Sequence, residues 1–227
     1  MKRSKMLTIA IDGPAGAGKS TVARKVAAAL GYVYVDTGAM YRAVALRCLE
    51  LGVDVSDPEA VARAARAMEV RLEPAGGEPK VFVDGADVTE AIREPRVGEA
   101  VSLVAQVPEV REVLVELQRR MGERGGIVMD GRDIGTVVLP SADVKIFLTA
   151  AEEERAARRH AELVARGERV AYEEVLDALR RRDALDRTRA VSPLVKADDA
   201  VEVDSTGRPV ESVVAEILEL CRERGGA

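Results

Sequence analysis

A glycine-rich stretch near the amino terminus constrains the fold of this chain more than any other feature. Residues 13–20 read GPAGAGKS and fit the pattern G-x-x-x-x-G-K-[ST]. In this pattern glycines turn backbone N–H groups toward an anion, the lysine reaches the β- and γ-phosphates, and the Ser20 hydroxyl can ligate Mg²⁺. A strand-like apolar run precedes the stretch and a helical pattern follows it, at residues 7–11 and 21–30. This context predicts a polyphosphate-binding loop rather than an ordinary glycine-rich turn.

Apolar runs separated by helical patterns predict an α/β fold. Four further runs have the length of buried strands, at residues 32–35, 127–130, 144–148 and 200–203. Together with the first run they predict a five-stranded parallel sheet flanked by helices. The 227 residues are enough for one domain, residues 1–227, with an inserted lobe. The lobe is expected at about residues 52–95, where two strand-like runs flank the turn-rich residues 74–79.

Composition and charge exclude several classes of function. The net charge of −5 gives no indication of a nucleic-acid-binding surface. No apolar run is long enough to span a bilayer or to form a signal peptide, so no membrane partner is expected. The two cysteines, Cys48 and Cys221, are expected to be reduced core residues of a cytoplasmic protein. The single histidine, His160, has no partner for a metal site and is expected to be exposed on a helix.

A second candidate site follows the strand at residues 127–130. Asp130 ends this strand in the manner of a Walker B carboxylate, which helps to organise Mg²⁺. Arg132 and Asp133 come directly afterwards. Ligands of parallel α/β sheets bind at the carboxyl ends of the strands. We therefore expect these three side chains to be functional rather than parts of a polar turn.

The class of enzyme is narrowed by what the sequence lacks. A GTPase should carry an N-K-x-D segment, and the chain contains no asparagine. An AAA-type or helicase motor should be larger. A small phosphotransferase that uses ATP with Mg²⁺ remains. Two alternatives stay open: the acceptor could be UMP, AMP or shikimate, or the chain could be a regulatory module that binds nucleotide without turnover.

Four segments of the chain resemble bacterial cytidylate kinases (CMP kinases) of the nucleoside monophosphate kinase family. They are GPAGAGKST at residues 13–21, DTGAMYR at 36–42, DGRDIGTVV at 130–138 and DRTRAVSPL at 186–194. The resemblance covers essentially the whole chain. It implies a P-loop kinase core, an NMP-binding lobe at the insertion and a helical lid at about residues 151–170. It also implies transfer of the γ-phosphoryl group of ATP to CMP or dCMP, with Mg²⁺, by a cytoplasmic enzyme that is expected to be a monomer.

The same resemblance assigns roles to individual residues. ATP-binding residues are Gly13, Pro14, Ala15, Gly16, Ala17, Gly18, Lys19, Ser20 and Thr21, with Arg155, Arg158 and Arg159 from the lid. CMP-binding residues are Arg42, Arg132 and Arg189 at the phosphate, Ser102, Arg111 and Asp133 at cytosine, Thr37 and Tyr41 at the rim, and Asp186 and Arg182 at the sugar. The catalytic residues are Lys19, Arg132, Arg189 and Asp130, and the metal ligand is Ser20.

The assignment at cytosine also agrees with the chemistry of the base. Cytosine offers an amino donor at N4 and acceptors at N3 and O2. A carboxylate such as Asp133 can accept from N4, and a guanidinium such as Arg111 can donate to the acceptors. Uracil carries a carbonyl in place of the amine and would face the carboxylate with repulsion. Selectivity for CMP over UMP is therefore expected.

Overall fold

The structure is a computed structural model that describes residues 6–73 and 78–225. The strands are β1 (Thr8–Asp12), β2 (Val33–Asp36), β3 (Val70–Glu73), β4 (Lys80–Val83), β5 (Ala86–Asp87), β6 (Ile127–Gly131), β7 (Val144–Thr149) and β8 (Val201–Asp204). The helices are α1 (Lys19–Leu30), α2 (Thr37–Glu50), α3 (Pro58–Ala67), α4 (Pro95–Val104), α5 (Pro108–Gly122), α6 (Glu152–Ala165), α7 (Tyr172–Thr188) and α8 (Val210–Glu223). A 3₁₀ turn at Ala91–Arg93 and a π-helical turn at Ile134–Val138 complete the elements.

Five strands form one parallel sheet in the order β2-β6-β1-β7-β8. This confirms the predicted α/β class and the five-stranded parallel sheet. The strand β1 lies in the middle and is buried along most of its length, because β6 and β7 pair with its two edges. The glycine loop that follows β1 is therefore placed over the centre of the carboxyl edge of the sheet.

Helices cover both faces of this sheet, as alternation along β1 requires. Ile9 and Ile11 point to one face, where they pack with Val26 of α1 and Ile217 of α8. Ala10 lies between them in sequence and belongs to the cluster on the opposite face. Both cysteines are free and buried, in agreement with the expectation that they are reduced core residues.

The predicted lobe contains a second, antiparallel sheet in the order β3-β4-β5. Val70, Val81 and Val83 of this sheet pack into one continuous core with Val44 of α2 and Val101 of α4. The helix α3 also packs into that core. The sequence pattern did not predict this helix. Residues 74–77 of the predicted turn lie outside the described residues.

The predicted lid region is helical and packs against α7. Ala156 of α6 is in contact with Val175 and Leu179 of α7. His160 lies on the same flank of α6, where its Nε2 is 3.1 Å from the carbonyl oxygen of Val170 and its ring meets Tyr172 edge-on. The expectation that His160 is exposed is therefore wrong. The reason is tertiary, because pairing of two helices half-buries a flank that looks polar in sequence.

The described ranges contain no helix that is both long and apolar enough to cross a lipid bilayer.

The packing of the main sheet predicts a large effect for a truncation at its centre. Ile146 of β7 is 1% exposed. We expect Ile146→Ala to lower the free energy of unfolding by about 2–5 kcal/mol, because it removes buried apolar area and leaves a cavity. Urea denaturation measures this loss. Val195→Ala is the control, since Val195 is 49% exposed, and equal losses in the two variants would contradict the assigned core.

Candidate active site

The phosphate loop is fixed to the sheet by a close backbone contact. Gly13 follows β1 directly, with a φ of +150°, and a Cβ at this position would lie 2.0 Å from the carbonyl oxygen of Leu148 in β7. Only glycine fits there. Gly18 is the N-terminal cap of α1 and has no side chain that could accept hydrogen bonds from the first turn. The N–H groups at the positive end of the helix therefore face the loop. The Nζ of Lys19 donates to the carbonyl oxygen of Pro14 at 2.8 Å and so lies across the loop.

Lys19 is buried among other cations. Burial, followed by the charge of Arg132, lowers the pKa of Lys19 to about 7. Arg182 acts in the same direction, and Asp130 opposes it. A lysine in this environment is stabilised as an ammonium ion by an added anion, and polyphosphate is the anion that the loop pattern predicts.

Asp130, at the end of β6, joins the loop to the neighbouring strand. Its Oδ2 accepts a hydrogen bond from Ser20 Oγ at 3.0 Å, and its Oδ1 accepts one from Tyr34 OH at 2.8 Å. Burial and the nearby carboxylate of Asp36 raise the pKa of Asp130 to about 6. Hydroxyl and carboxylate oxygens are hard ligands, and two close carboxylates favour a cation. These residues therefore fit the Mg²⁺ predicted beside Ser20.

The start of α2 is held against the segment that follows β6. Asp36 accepts a hydrogen bond from the backbone of Ala39 and pairs with Arg42 at 2.9 Å. Thr37 Oγ1 donates to the carbonyl oxygen of Asp130 at 2.7 Å. Gly131 permits this approach, because a Cβ there would lie 2.7 Å from Thr37 Oγ1. The predicted rim residue Thr37 thus fixes the backbone next to Arg132.

A buried charged cluster lies behind this segment. Arg111 of α5 forms an ion pair with Asp133, and its guanidinium lies 5.3 Å from the ring centroid of Tyr41. Arg189 Nη2 is 3.8 Å from Asp133 Oδ1. In the described part of the chain, Tyr41 OH, Arg111 Nε and Arg189 Nη2 are buried without a hydrogen-bond partner. Buried polar atoms are normally paired, so this concentration of unpaired atoms is typical of a ligand site.

The predicted cytosine residues are brought together only in part. Arg111 and Asp133 are in contact, whereas Ser102 is half-buried on α4. The hydrogen bond described for Ser102 is made by its backbone, whose carbonyl oxygen accepts from Gln106 at 3.1 Å. Its role at the base stays a prediction.

The predicted phosphate and sugar residues share one charged network. Arg132 Nε donates to Asp186 Oδ2 at 2.7 Å, and Arg189 Nη1 is 3.8 Å from Asp186 Oδ1. Burial, followed by the charge of Arg132, lowers the pKa of Arg182 to about 10, and Arg42 contributes in the same direction. Arg182 therefore lies near the predicted phosphate clamp as well as near Asp186, its predicted partner at the sugar.

The three lid arginines have different surroundings. Arg155 is buried, pairs with Asp183 at 2.6 Å and donates to the carbonyl oxygen of Ala15 in the loop at 2.8 Å. Arg158 donates to the carbonyl oxygen of Ser205 at 2.9 Å and pairs with Glu154. Arg159 is half-buried and pairs with Glu162. ATP binding by these residues stays a prediction, and the contacts of Arg155 additionally brace the loop.

Sequence reasoning missed four polar residues of this region. Asp12 and Asp183 are buried carboxylates that accept backbone N–H groups near the loop, Tyr34 binds Asp130, and Ser205 Oγ donates to the carbonyl oxygen of Ala17. Adjacency to the glycine loop was a signal for Asp12. The others lie far from their partners along the chain, and no local pattern marks them.

Comparison with known proteins gives a consistent result. The family described as cytidylate kinase matches residues 9–223. A protein of Pelotomaculum thermopropionicum described as cytidylate kinase is 58% identical over 92% of this chain and 93% of its own length. One from Geobacillus kaustophilus, described in the same way, is 54% identical over 100% of both chains. A solved structure of an uncharacterized protein from Eubacterium ventriosum has a TM-score of 0.51 at 13% identity, covers 96% of this chain and 99% of its own, and is a likeness of fold alone.

The buried pair between α6 and α7 predicts non-additive effects on stability. Arg155→Met leaves the Asp183 carboxylate buried without its partner, which we expect to cost about 3–5 kcal/mol of unfolding free energy. The double variant Arg155→Met with Asp183→Leu should recover much of this loss, because no unpaired charge remains. Denaturant unfolding of four proteins, namely wild type, the two single variants and the double variant, measures both effects. Additive losses would contradict the assigned pairing.

The depressed pKa of Lys19 predicts proton uptake when ATP binds. Free protein holds much of this lysine neutral at pH values above about 7, whereas bound phosphates favour the ammonium form. Titration calorimetry in buffers of different ionisation enthalpy should therefore detect uptake above that pH. Lys19→Arg is the control, since a guanidinium stays protonated. Equal uptake by both proteins would show that another group is responsible.

Proposed function

The chain belongs to the cytidylate kinase family, and on that premise we propose that it transfers the γ-phosphoryl group of ATP to CMP or dCMP, giving CDP or dCDP and ADP. The observation that carries the proposal is the buried Arg111–Asp133 pair beside the phosphate loop, with unpaired polar atoms around it. The loop at the carboxyl edge of the sheet suits a polyphosphate, and the Arg111–Asp133 pair suits the base of an aminopyrimidine monophosphate. Their adjacency suits direct transfer between two bound nucleotides.

On the donor side the loop and Lys19 bind the phosphates of ATP. Amides of the loop and of the first turn of α1 supply hydrogen bonds, and Lys19 supplies a charge at the β- and γ-phosphates. Ser20 and Asp130 would hold Mg²⁺, Ser20 as a ligand and Asp130 through water. When bound, the metal ion neutralises charge on the β- and γ-phosphates.

On the acceptor side arginines hold and neutralise the monophosphate. Arg42, Arg132 and Arg189 are each paired with a carboxylate in the structure, which keeps their guanidinium groups in place. Phosphoryl transfer depends chiefly on positioning and charge neutralisation. A single well-placed arginine can contribute about 10³–10⁵ in rate at the transferring group. Arg182 lies close enough to this group to act with it.

The base is recognised by Asp133 and Arg111. In the structure they neutralise each other in a buried site. Asp133 can accept from N4 of cytosine while Arg111 donates to N3 and O2. Uracil would oppose a carbonyl to the carboxylate and leave buried groups unpaired, which supports strong discrimination. This argues against UMP as the preferred acceptor.

The inserted lobe makes contact with the ATP-site helix. Glu78 of the lobe pairs with Arg24 of α1 at 2.6 Å and also with Arg93. Closure of the lobe and of the lid region over bound nucleotides would exclude water, and thereby suppress ATP hydrolysis in the absence of acceptor. A Mg²⁺ requirement, a monomeric state and a cytoplasmic location are further parts of the proposal, and the resemblance to this family supports them.

Product analysis tests the proposal most simply. The purified protein is incubated with ATP and Mg²⁺ and one acceptor at a time: CMP, dCMP, UMP, AMP or shikimate. We expect ADP together with CDP or dCDP, at higher efficiency than with the other acceptors. Tight nucleotide binding without any phosphorylated product would favour a regulatory module instead. The set of acceptor-side arginines argues against that outcome, because a switch needs no second clamp.

Base recognition predicts a change in selectivity for a single substitution. Asp133→Ala removes the acceptor for N4 and should reduce the ratio of kcat/KM for CMP to that for UMP by about tenfold or more. Lys19→Ala should instead abolish transfer to both acceptors, because its charge acts on the donor phosphates. Steady-state kinetics with both monophosphates distinguish the two. An unchanged ratio in the Asp133 variant would refute the base-reading role.

A further inference from the structure

Asp12 is a buried carboxylate that joins the phosphate loop to the acceptor segment. It is the last residue of β1, immediately before Gly13, and is 5% exposed. Its Oδ1 accepts a hydrogen bond from the backbone N–H of Ile134 at 2.8 Å, and its Oδ2 accepts one from that of Gly135 at 2.7 Å. Both oxygens therefore bind one short segment that follows β6, the strand paired with β1.

That segment carries the acceptor-binding side chains. Ile134 and Gly135 open the π-helical turn that follows Arg132 and Asp133 without an intervening residue. The carbonyl oxygen of Asp133 accepts from the backbone of Val137 at 2.9 Å. Asp12 thus holds the N–H groups at the start of the turn, and the carbonyl oxygen of Asp133 holds an N–H group at its end. The side-chain directions of Arg132 and Asp133 depend on this backbone.

Gly135 packs against both Asp12 and Lys145. A Cβ at this position would lie 3.4 Å from Asp12 Oδ2 and 3.2 Å from Lys145 Cδ. A Cβ alone would be in van der Waals contact with the carboxylate, whereas a branched residue would press against it and displace the turn. A displacement of the turn shifts the residues that precede it.

A charged group is better suited to this contact than an amide. Burial raises the pKa of Asp12 to about 6, and the two backbone hydrogen bonds oppose that increase. At neutral pH the carboxylate offers two acceptors to two N–H donors. An asparagine offers one acceptor and one NH₂ group, and the NH₂ group would face a backbone N–H. One buried donor would then be unpaired.

We propose that Asp12 is a positioning residue that orients Arg132 and Asp133 relative to the phosphate loop, and that it thereby sets CMP affinity and selectivity against UMP. This inference rests on the proposed function. It makes the Asp12 side chain a link between the donor loop, through Gly13, and the acceptor clamp. Asp12 is expected to touch neither nucleotide.

Asp143 provides a control because its carboxylate hydrogen-bonds to the same strand, β1. It binds the opposite end of β1, where its Oδ2 accepts from the backbone N–H of Thr8 at 2.9 Å and from Thr8 Oγ1 at 3.1 Å. Asp143→Asn therefore disturbs a carboxylate-to-backbone contact of β1 far from the carboxyl edge of the sheet. It should lower stability without altering nucleotide binding.

The experiment compares wild type, Asp12→Asn and Asp143→Asn by steady-state kinetics with CMP, UMP and ATP, and by urea unfolding. We expect Asp12→Asn to raise KM for CMP about tenfold, and to reduce the CMP-to-UMP ratio of kcat/KM, while KM for ATP changes by less than about twofold. Asp143→Asn should keep all kinetic constants. Gly135→Val keeps the carboxylate but adds γ-carbons beyond a Cβ position that already lies 3.4 Å from Asp12 Oδ2, and it should show the same kinetic split if Asp12→Asn does not fold.

Two results would overturn the positioning role. One is an Asp12→Asn variant whose KM for CMP and selectivity match those of Asp143→Asn. The other is an equal rise in KM for ATP and CMP, which a general structural role would give. Failure of the proposed function is distinguishable, because the wild-type protein itself would then form no CDP from CMP and ATP.

Discussion

The structure depends on one electrostatic constraint: many cations must lie close together at the carboxyl edge of a parallel sheet. The charges of Arg132 and Arg182 lower the pKa of Lys19, and the charge of Arg132 also lowers the pKa of Arg182. Carboxylates on adjoining elements reduce this repulsion, as in the pairs Arg42–Asp36 and Arg132–Asp186. Such pairs hold the guanidinium groups in fixed directions before any ligand arrives. Nucleotide phosphates can supply further negative charge, so the crowding of cations favours nucleotide binding.

Local patterns were enough to predict the frame of the fold and the loop. The strand periodicity placed all five strands of the main sheet, and the spacing of glycines and lysine placed the loop at the end of β1. Asp130 could be foreseen because it directly ends an apolar strand. The resemblance of residues 186–194 to one family was needed to single out Arg189, since nothing in its local pattern indicates that it lies 3.8 Å from Asp133.

Partners that are distant in sequence could not be predicted in this way. In the sequence Arg155 looked like one of three equivalent lid arginines. The tertiary packing shows that it forms an ion pair with Asp183, which lies on another helix. His160 was misjudged for the same reason, because α6 and α7 pair along its flank. In the sequence Tyr34 is an ordinary aromatic residue of a strand. Its hydroxyl reaches Asp130 only because β2 pairs with β6 in the sheet. Buried polar contacts between elements require the fold before they can be recognised.

A crystal structure with CMP bound tests most directly whether the Arg111–Asp133 pair is the cytosine site. We expect cytosine N4 within hydrogen-bond distance of Asp133, and new hydrogen bonds to Arg111 Nε, Arg189 Nη2 and Tyr41 OH, which lack a hydrogen-bond partner among the described residues. CMP bound elsewhere, with Asp133 and Arg111 paired only to each other, would contradict this assignment.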